Sequence, residues 1–155
     1  FFFTTKNIKF LNCKKIEISN GIIGGYIHNN GKIGVAVPLE TDKPCDDIRL
    51  ETLARDISMH IAAFPAEAVK ADQVSSEVLE KEKDIFIAQA RESGKPDNII
   101  EKMIEGRLNK FLKEVCVESQ PFVKDPQISV SHLVNKTAKE LGVNINFNTF
   151  EKYQF

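Results

Sequence analysis

Cysteine is scarce in this chain. Cys13, Cys45 and Cys116 are odd in number and lack the spacing of metal ligands. A disulfide framework is therefore set aside, and the three read as ordinary reduced thiols, suited to a cytoplasm or an organelle matrix. An excess of either charge is missing too: 21 Lys and Arg stand against 22 Asp and Glu, for a net charge of −1. That balance argues against electrostatic capture of nucleic acid or of an anionic membrane. No apolar run approaches the roughly 20 residues that a membrane-spanning helix needs. Phe1-Phe2-Phe3 is too short for the apolar region of a signal peptide, and the chain does not begin with Met, so Phe1 is expected to mark a processed, truncated or excised start.

Catalytic groupings are also missing. Gly21-Ile22-Ile23-Gly24-Gly25 has neither the spacing of a phosphate-binding loop nor its Lys-Ser/Thr, and reads instead as a bent strand in a crowded sheet. The three histidines fall on separate segments, and no Cys-His or Ser-His-Asp arrangement can be built from them. His60 lies in an apolar helical run and reads as a packed, hydrogen-bonded core residue. His132, in the first turn of another helix, reads as structural or simply exposed. No enzyme activity, cofactor or metal is expected, and neither an internal repeat nor a low-complexity tract is present.

What remains is a small folded domain with an appendage. A length of 155 residues, 42% hydrophobic and 28% charged, suits one domain with an ordinary core. Ile8, Phe10, Ile16 and Ile18 suggest a first strand, bulged around residues 12–15. Residues 21–28 continue extended to the strong turn signal Asn29-Asn30-Gly31, and residues 33–37 return as the partner strand. A helix over about residues 50–63 buries Leu53, Ile57 and Ile61 and ends at Pro65, while residues 40–47 read as a surface connection. A second helix over about 131–141 stops at Gly142, and residues 144–153 alternate as a final strand. The expected fold is α+β, a small antiparallel β-sheet covered by helices on one face. Residues 1–74 and 118–155 would form this core, with residues 75–117 inserted.

The insertion reads as an antiparallel helical hairpin. Val78, Leu79, Ile85 and Phe86 make a stripe on its first helix, and Ile99, Ile100, Met103, Ile104, Leu108, Phe111, Leu112 and Val115 make a wider one on the second. Gly94 suits the end of the first helix, Pro96 cannot continue it, and Asp97 or Asn98 can cap the second. The charges from Glu80 to Asp84 form a solvated outer face. A projecting hairpin of this kind serves to touch a partner.

A series of short motifs then occurs in order: Gly31-Lys32-Ile33-Gly34-Val35-Ala36-Val37, Ala54-Arg55-Asp56-Ile57-Ser58-Met59-His60-Ile61-Ala62-Ala63 and Val78-Leu79-Glu80-Lys81-Glu82. Ser93-Gly94-Lys95-Pro96, Ile104-Glu105-Gly106-Arg107-Leu108 and Gln120-Pro121-Phe122-Val123-Lys124-Asp125-Pro126 follow. In this collinear order and spacing the chain, from about Asn7 to Phe155, resembles the dimerisation region of elongation factor Ts, the exchange factor for elongation factor Tu. The resemblance implies a protein that binds nucleotide-free or GDP-bound elongation factor Tu and promotes GDP-to-GTP exchange through contacts alone. It implies action in the bacterial cytoplasm, or alternatively in a mitochondrial or plastid matrix.

On spacing alone His28 is an exposed loop histidine. The resemblance implies more, because Tyr26-Ile27-His28-Asn29-Asn30-Gly31 falls on a family segment whose histidine contacts the nucleotide-binding domain of elongation factor Tu. His28 is then the expected contact residue, with Tyr26 and Asn29 as its supports. The family's Thr-Asp-Phe-Val wedge is only half present: Thr41-Asp42 is followed by Lys43-Pro44. The family's N-terminal helical domain has no counterpart in these residues. The chain is thus expected to be either the second of two tandem cores or a divergent, shortened form. The alternative function is an elongation factor Tu-docking or self-associating module without exchange activity.

Overall fold

The computed structural model of the chain describes residues 12–28, 31–91 and 97–154. In chain order its elements are β1 (Gly21–His28), β2 (Ile33–Thr41), α1 (Ile48–Ala63), α2 (Ser76–Arg91), α3 (Asp97–Val115), β3 (Pro121–Phe122), β4 (Asp125–Ser129), α4 (Val130–Leu141), β5 (Ile145–Asn146) and β6 (Glu151–Gln154). The class is α+β, as the sequence pattern indicates. Ile8 and Phe10 of the expected first strand, the Asn29-Asn30 turn and the Gly94-Lys95-Pro96 connection lie outside the described residues.

β2 organises the sheet. Its period-2 alternation puts Val35, Val37 and Leu39 on one face, where they are almost wholly buried. β1 pairs antiparallel along one edge, from Gly21 opposite Glu40 to His28 opposite Ile33. β6 and β5 share the other edge, both antiparallel. The helix α1 lies across the buried face. Leu50, Leu53, Ala54, Ile57 and Ile61 recur at helical spacing and pack on Val35, Val37 and Leu39. Asp47 caps the helix by accepting the Arg49 backbone N–H at 2.9 Å. The Arg49 side chain and N–H together hold the Asp47 carboxyl down to about 2. At the far end the Lys152 ammonium, from β6, donates to the Ile61 and Phe64 carbonyls at 2.8 and 3.0 Å, satisfying groups that the helix leaves open. α4 joins the same core through Val130 and Val134 and ends at Gly142, whose φ of 64° closes the last turn.

Three local expectations need correction. Residues 12–18 form no strand; Ile16 and Ile18 are only half-buried. Lys14 pairs with Glu151 on β6, and Asn20 accepts the Thr41 backbone N–H at the start of β1, so this segment runs from one edge of the sheet to the other instead of pairing along it. The final strand is split. Between the pairs Ala36–Glu151 and Glu40–Asn146, the residues Val37, Pro38 and Leu39 of β2 stand opposite residues 147–150, one more than they can match. Phe147 turns into the core instead. Residues 40–47 are not wholly a surface connection either, since Glu40 and Thr41 belong to β2 and Thr41 is buried.

The hairpin grows from a laced base. The backbone N–H of Glu67 donates to Val115, that of Val117 to Ala68 and that of Glu118 to Val69, at 3.0 to 3.2 Å. Val74, Ala68, Val115 and Cys116 are buried there, with Val78, Leu79, Phe111 and Leu112 against them. Beyond the base α2 packs chiefly on α3, where Arg107 donates to Gln89 at 2.6 Å and lies over the Phe86 ring. Ile85 and Ile99 fall off the apolar stripes expected for them, 47% and 43% exposed. Six positions beyond Leu79, Ile85 is rotated by roughly 120° away from the seam.

Gly106 sits inside α3 with nothing within 4 Å of where a Cβ would be. Gly106→Ala is therefore expected to stabilise the chain by about 1 kcal/mol, the ordinary helix-interior difference between the two residues. Urea unfolding followed by far-UV circular dichroism checks this.

Candidate protein-docking site

Tyr26 and His28 are two residues apart on β1, so both side chains stand on the α1 side of the sheet. The Tyr26 hydroxyl and His28 Nδ1 are 3.1 Å apart, and the rings stack with centroids 5.8 Å apart. Tyr26 is half-buried against the core, whereas His28 is exposed. The strand thus fixes the tyrosine and the tyrosine orients the histidine. With Nδ1 engaged, Nε2 of this exposed imidazole has no hydrogen bond among the described residues. Asn29 lies outside the described residues.

Beside this pair a groove of about 380 Å³ runs between Tyr26 and the outer face of α1. Glu51, Thr52, Arg55 and Asp56 line it, with Lys124 closing one side through an ion pair of 2.6 Å to Asp56. Ile48, 70% exposed, adds an apolar knob at the start of the helix. Of these α1 residues Arg55 and Asp56 fall in a family motif but are given no role by it, and Ile48, Glu51 and Thr52 are not singled out by the sequence. Their spacing (48, 51, 52, 55, 56) marks one helix face, but only the placement of Tyr26 shows that this face borders the histidine. The surface mixes both charges and one apolar knob, which suits contact with another protein.

The Thr41-Asp42-Lys43-Pro44 stretch does not project. The Thr41 hydroxyl donates to the Lys43 carbonyl at 2.9 Å, and the Asp42 carboxylate accepts the backbone N–H and side-chain amide of Asn144 at 2.9 and 3.0 Å. The Asn144 backbone hydrogen bond is the main reason the Asp42 carboxyl is held below its ordinary range. His132 is exposed in the first turn of α4, where its backbone N–H is accepted by the capping Ser129 at 3.2 Å. His60 is fully buried and hydrogen-bonded. Among the described residues no group of three or more His, Cys, Asp or Glu side chains could hold a metal ion, and no helix is long and apolar enough to cross a membrane.

Comparison with known proteins bears on the family of the whole chain. Residues 4–154 match the family described as "Elongation factor TS". The chain is 45% identical over 138 residues to Elongation factor Ts of Acetivibrio thermocellus, covering 88% of this chain and 64% of that relative. It is 44% identical over 137 residues to that of Geobacter sulfurreducens, covering 87% of this chain and 63% of the relative. With that of Magnetococcus marinus the identity is 42% over 149 residues, 96% of this chain and 48% of the relative. The chain thus spans between about half and two thirds of the length of these relatives.

Proposed function

The chain belongs to the elongation factor Ts family, and from that premise we propose that it docks on elongation factor Tu and promotes exchange of GDP for GTP. The supporting observation is the Tyr26–His28 pair, an oriented, exposed imidazole beside the mixed-charge face of α1. In this reading His28 is the contact residue, with Tyr26 and Asn29 as its supports. Residues 1–74 and 118–155 form the docking core, while residues 75–117 form an inserted arm. The relatives are bacterial, and the proposed place of action is the bacterial cytoplasm.

Exchange of this kind needs no covalent step. The factor binds the nucleotide-free partner more tightly than the GDP-bound one, and by linkage GDP must weaken the factor by the same ratio. An imidazole fixed by its neighbour loses little freedom on docking, so more of its contact energy appears as affinity. The test is stopped-flow release of a fluorescent GDP from elongation factor Tu with increasing amounts of this chain. Acceleration that rises with concentration is expected. His28→Ala should weaken it about tenfold, as removal of one well-placed interface side chain does. Tyr26→Phe, which keeps the ring and loses the hydroxyl, should weaken it less. An unchanged release rate with the native chain would overturn the exchange reading.

A second reading has its own support. Ile23 and Ile27 stand on the sheet face away from α1, 43% and 75% exposed, on an edge strand. With Thr41–Pro44 tied down rather than projecting, this favours a docking or self-associating module without exchange. Binding to elongation factor Tu with no change in GDP release, or a dimer disrupted by Ile27→Lys, would identify it.

A further inference from the structure

The α2–α3 arm carries a groove that the docking reading leaves unused. Its floor is Leu79 from α2 with Ile104, Leu108 and Leu112 from α3, an i, i+4, i+8 stripe, all half-buried. The groove measures about 520 Å³. Its α3 wall, from Glu101 to Leu112, spans roughly three helical turns, or about 17 Å. The rim is predominantly acidic: Glu80, Glu101 and Glu105 are exposed, against the single ammonium of Lys83. None of the three carboxylates is in an ion pair among the described residues.

We propose that this groove receives a basic amphipathic helix of a partner protein, about three turns long and lying along α3. An apolar floor of this length accepts side chains at i, i+3 or i+4 and i+7, and a rim of carboxylates selects Lys and Arg on either side of that stripe. The same rim repels acidic helices, anionic lipid and nucleic acid. It also opposes a two-fold pairing of this groove with itself, which would set Glu80, Glu101 and Glu105 of each copy against those of the other. The inference rests on the groove alone, so failure of the exchange assay leaves it standing.

The test uses the full chain and fluorescence anisotropy of a labelled Leu/Lys peptide of about four turns with apolar residues at i, i+3, i+4 and i+7. Controls are a Leu/Glu peptide of the same spacing and a Leu/Lys peptide of the same composition with scrambled spacing. The patterned Leu/Lys peptide is expected to bind at least tenfold more tightly than either control. The double variant Glu101→Lys/Glu105→Lys, altered only at exposed positions, should lose at least tenfold in affinity for it and gain affinity for the Leu/Glu peptide. Leu108→Asn should weaken both while circular dichroism reports an intact fold. Absence of binding, equal binding of the scrambled peptide, or indifference to charge reversal would overturn the proposal. So would a dimer seen by sedimentation and abolished by Leu108→Asn, since a second copy would then be the occupant.

Discussion

Gly24→Ala is expected to destabilise the fold by about 3 kcal/mol, and Gly24→Val by more, at the upper end of what overpacking a core costs. A Cβ built on Gly24 would lie 2.5 Å from the carbonyl carbon of Ala54 and 2.6 Å from its Cβ and oxygen. These are mostly backbone atoms of α1, with no flexible side-chain end that could swing aside. Relief requires α1 to lift from the sheet, and α1 carries Leu53, Ile57 and Ile61 into the same core. Ala54 meets the strand at the same point, so Ala54→Leu should fail in the same way. Two neighbours serve as controls. Gly25 faces the other side of the sheet, where a Cβ would make only an ordinary contact of 3.9 Å, and Gly34 has nothing within 4 Å. Alanine at either should change stability by no more than about 0.5 kcal/mol. Urea midpoints measured by far-UV circular dichroism decide the matter. A Gly24→Ala midpoint as high as that of the controls would show that strand and helix do not meet this closely.

That contact explains part of what the sequence revealed. The glycines at 21, 24 and 25 signal crowding but do not say which of them is crowded or by what: Gly24 meets Ala54, thirty residues away in α1, Gly21 meets the backbone of Leu39 in β2, and Gly25 is not crowded. Elements with a strong period were legible: the alternation of β2, the apolar spacing of α1 and α4, and the two hairpin helices. Elements without one were not. β3 and β4 carry Pro121 and Pro126, which weaken any strand signal, and are short enough to owe their form to what they pack against. Ile16 and Ile18 alternate as strand residues do, yet alternation reports only which side is buried, not whether a ladder is near. The split between β5 and β6 is a register effect of one extra residue, which no single-strand pattern contains.

The candidate site was legible in identity more than in geometry. The family motif around Tyr26 and His28 marked both residues. The hydroxyl–imidazole contact and the neighbouring face of α1 depend on the strand's twist and on where α1 crosses it, and neither is written in local spacing. His60 illustrates the same divide. An apolar helical context indicated a buried, hydrogen-bonded ring, but its partner Gln120 is 60 residues away and appeared only as the opening residue of a motif.

The Gln120–His60 pair carries the second large effect. Val123 donates its backbone N–H to His60 Nδ1 at 3.2 Å, which leaves the neutral ring protonated on Nε2 and donating to Gln120 Oε1 at 2.8 Å. The Gln120 amide then donates to the carbonyls of Pro65 and Glu114 at 2.6 and 2.5 Å, tying the end of α1 to the last turn of α3. Gln120→Ala strips partners from an N–H and two carbonyls at once and should cost about 3 kcal/mol. Burial, partly offset by the Gln120 hydrogen bond, holds the His60 imidazole below its ordinary 6.5. As pH falls below that value the unfolded chain takes up a proton that the folded chain refuses, since an added Nδ1–H would point at the Val123 N–H. Stability is therefore complete above 6.5 and declines as pH falls from there toward the folded value. Asp42 and Asp47, both held below 3.8, lose their contributions only at lower pH and leave this window clear. His60→Asn should be less stable at neutral pH yet nearly flat between about pH 7 and pH 5, where the native chain slopes downward. Parallel native and His60→Asn profiles across that range would mean that His60 is not the group that titrates.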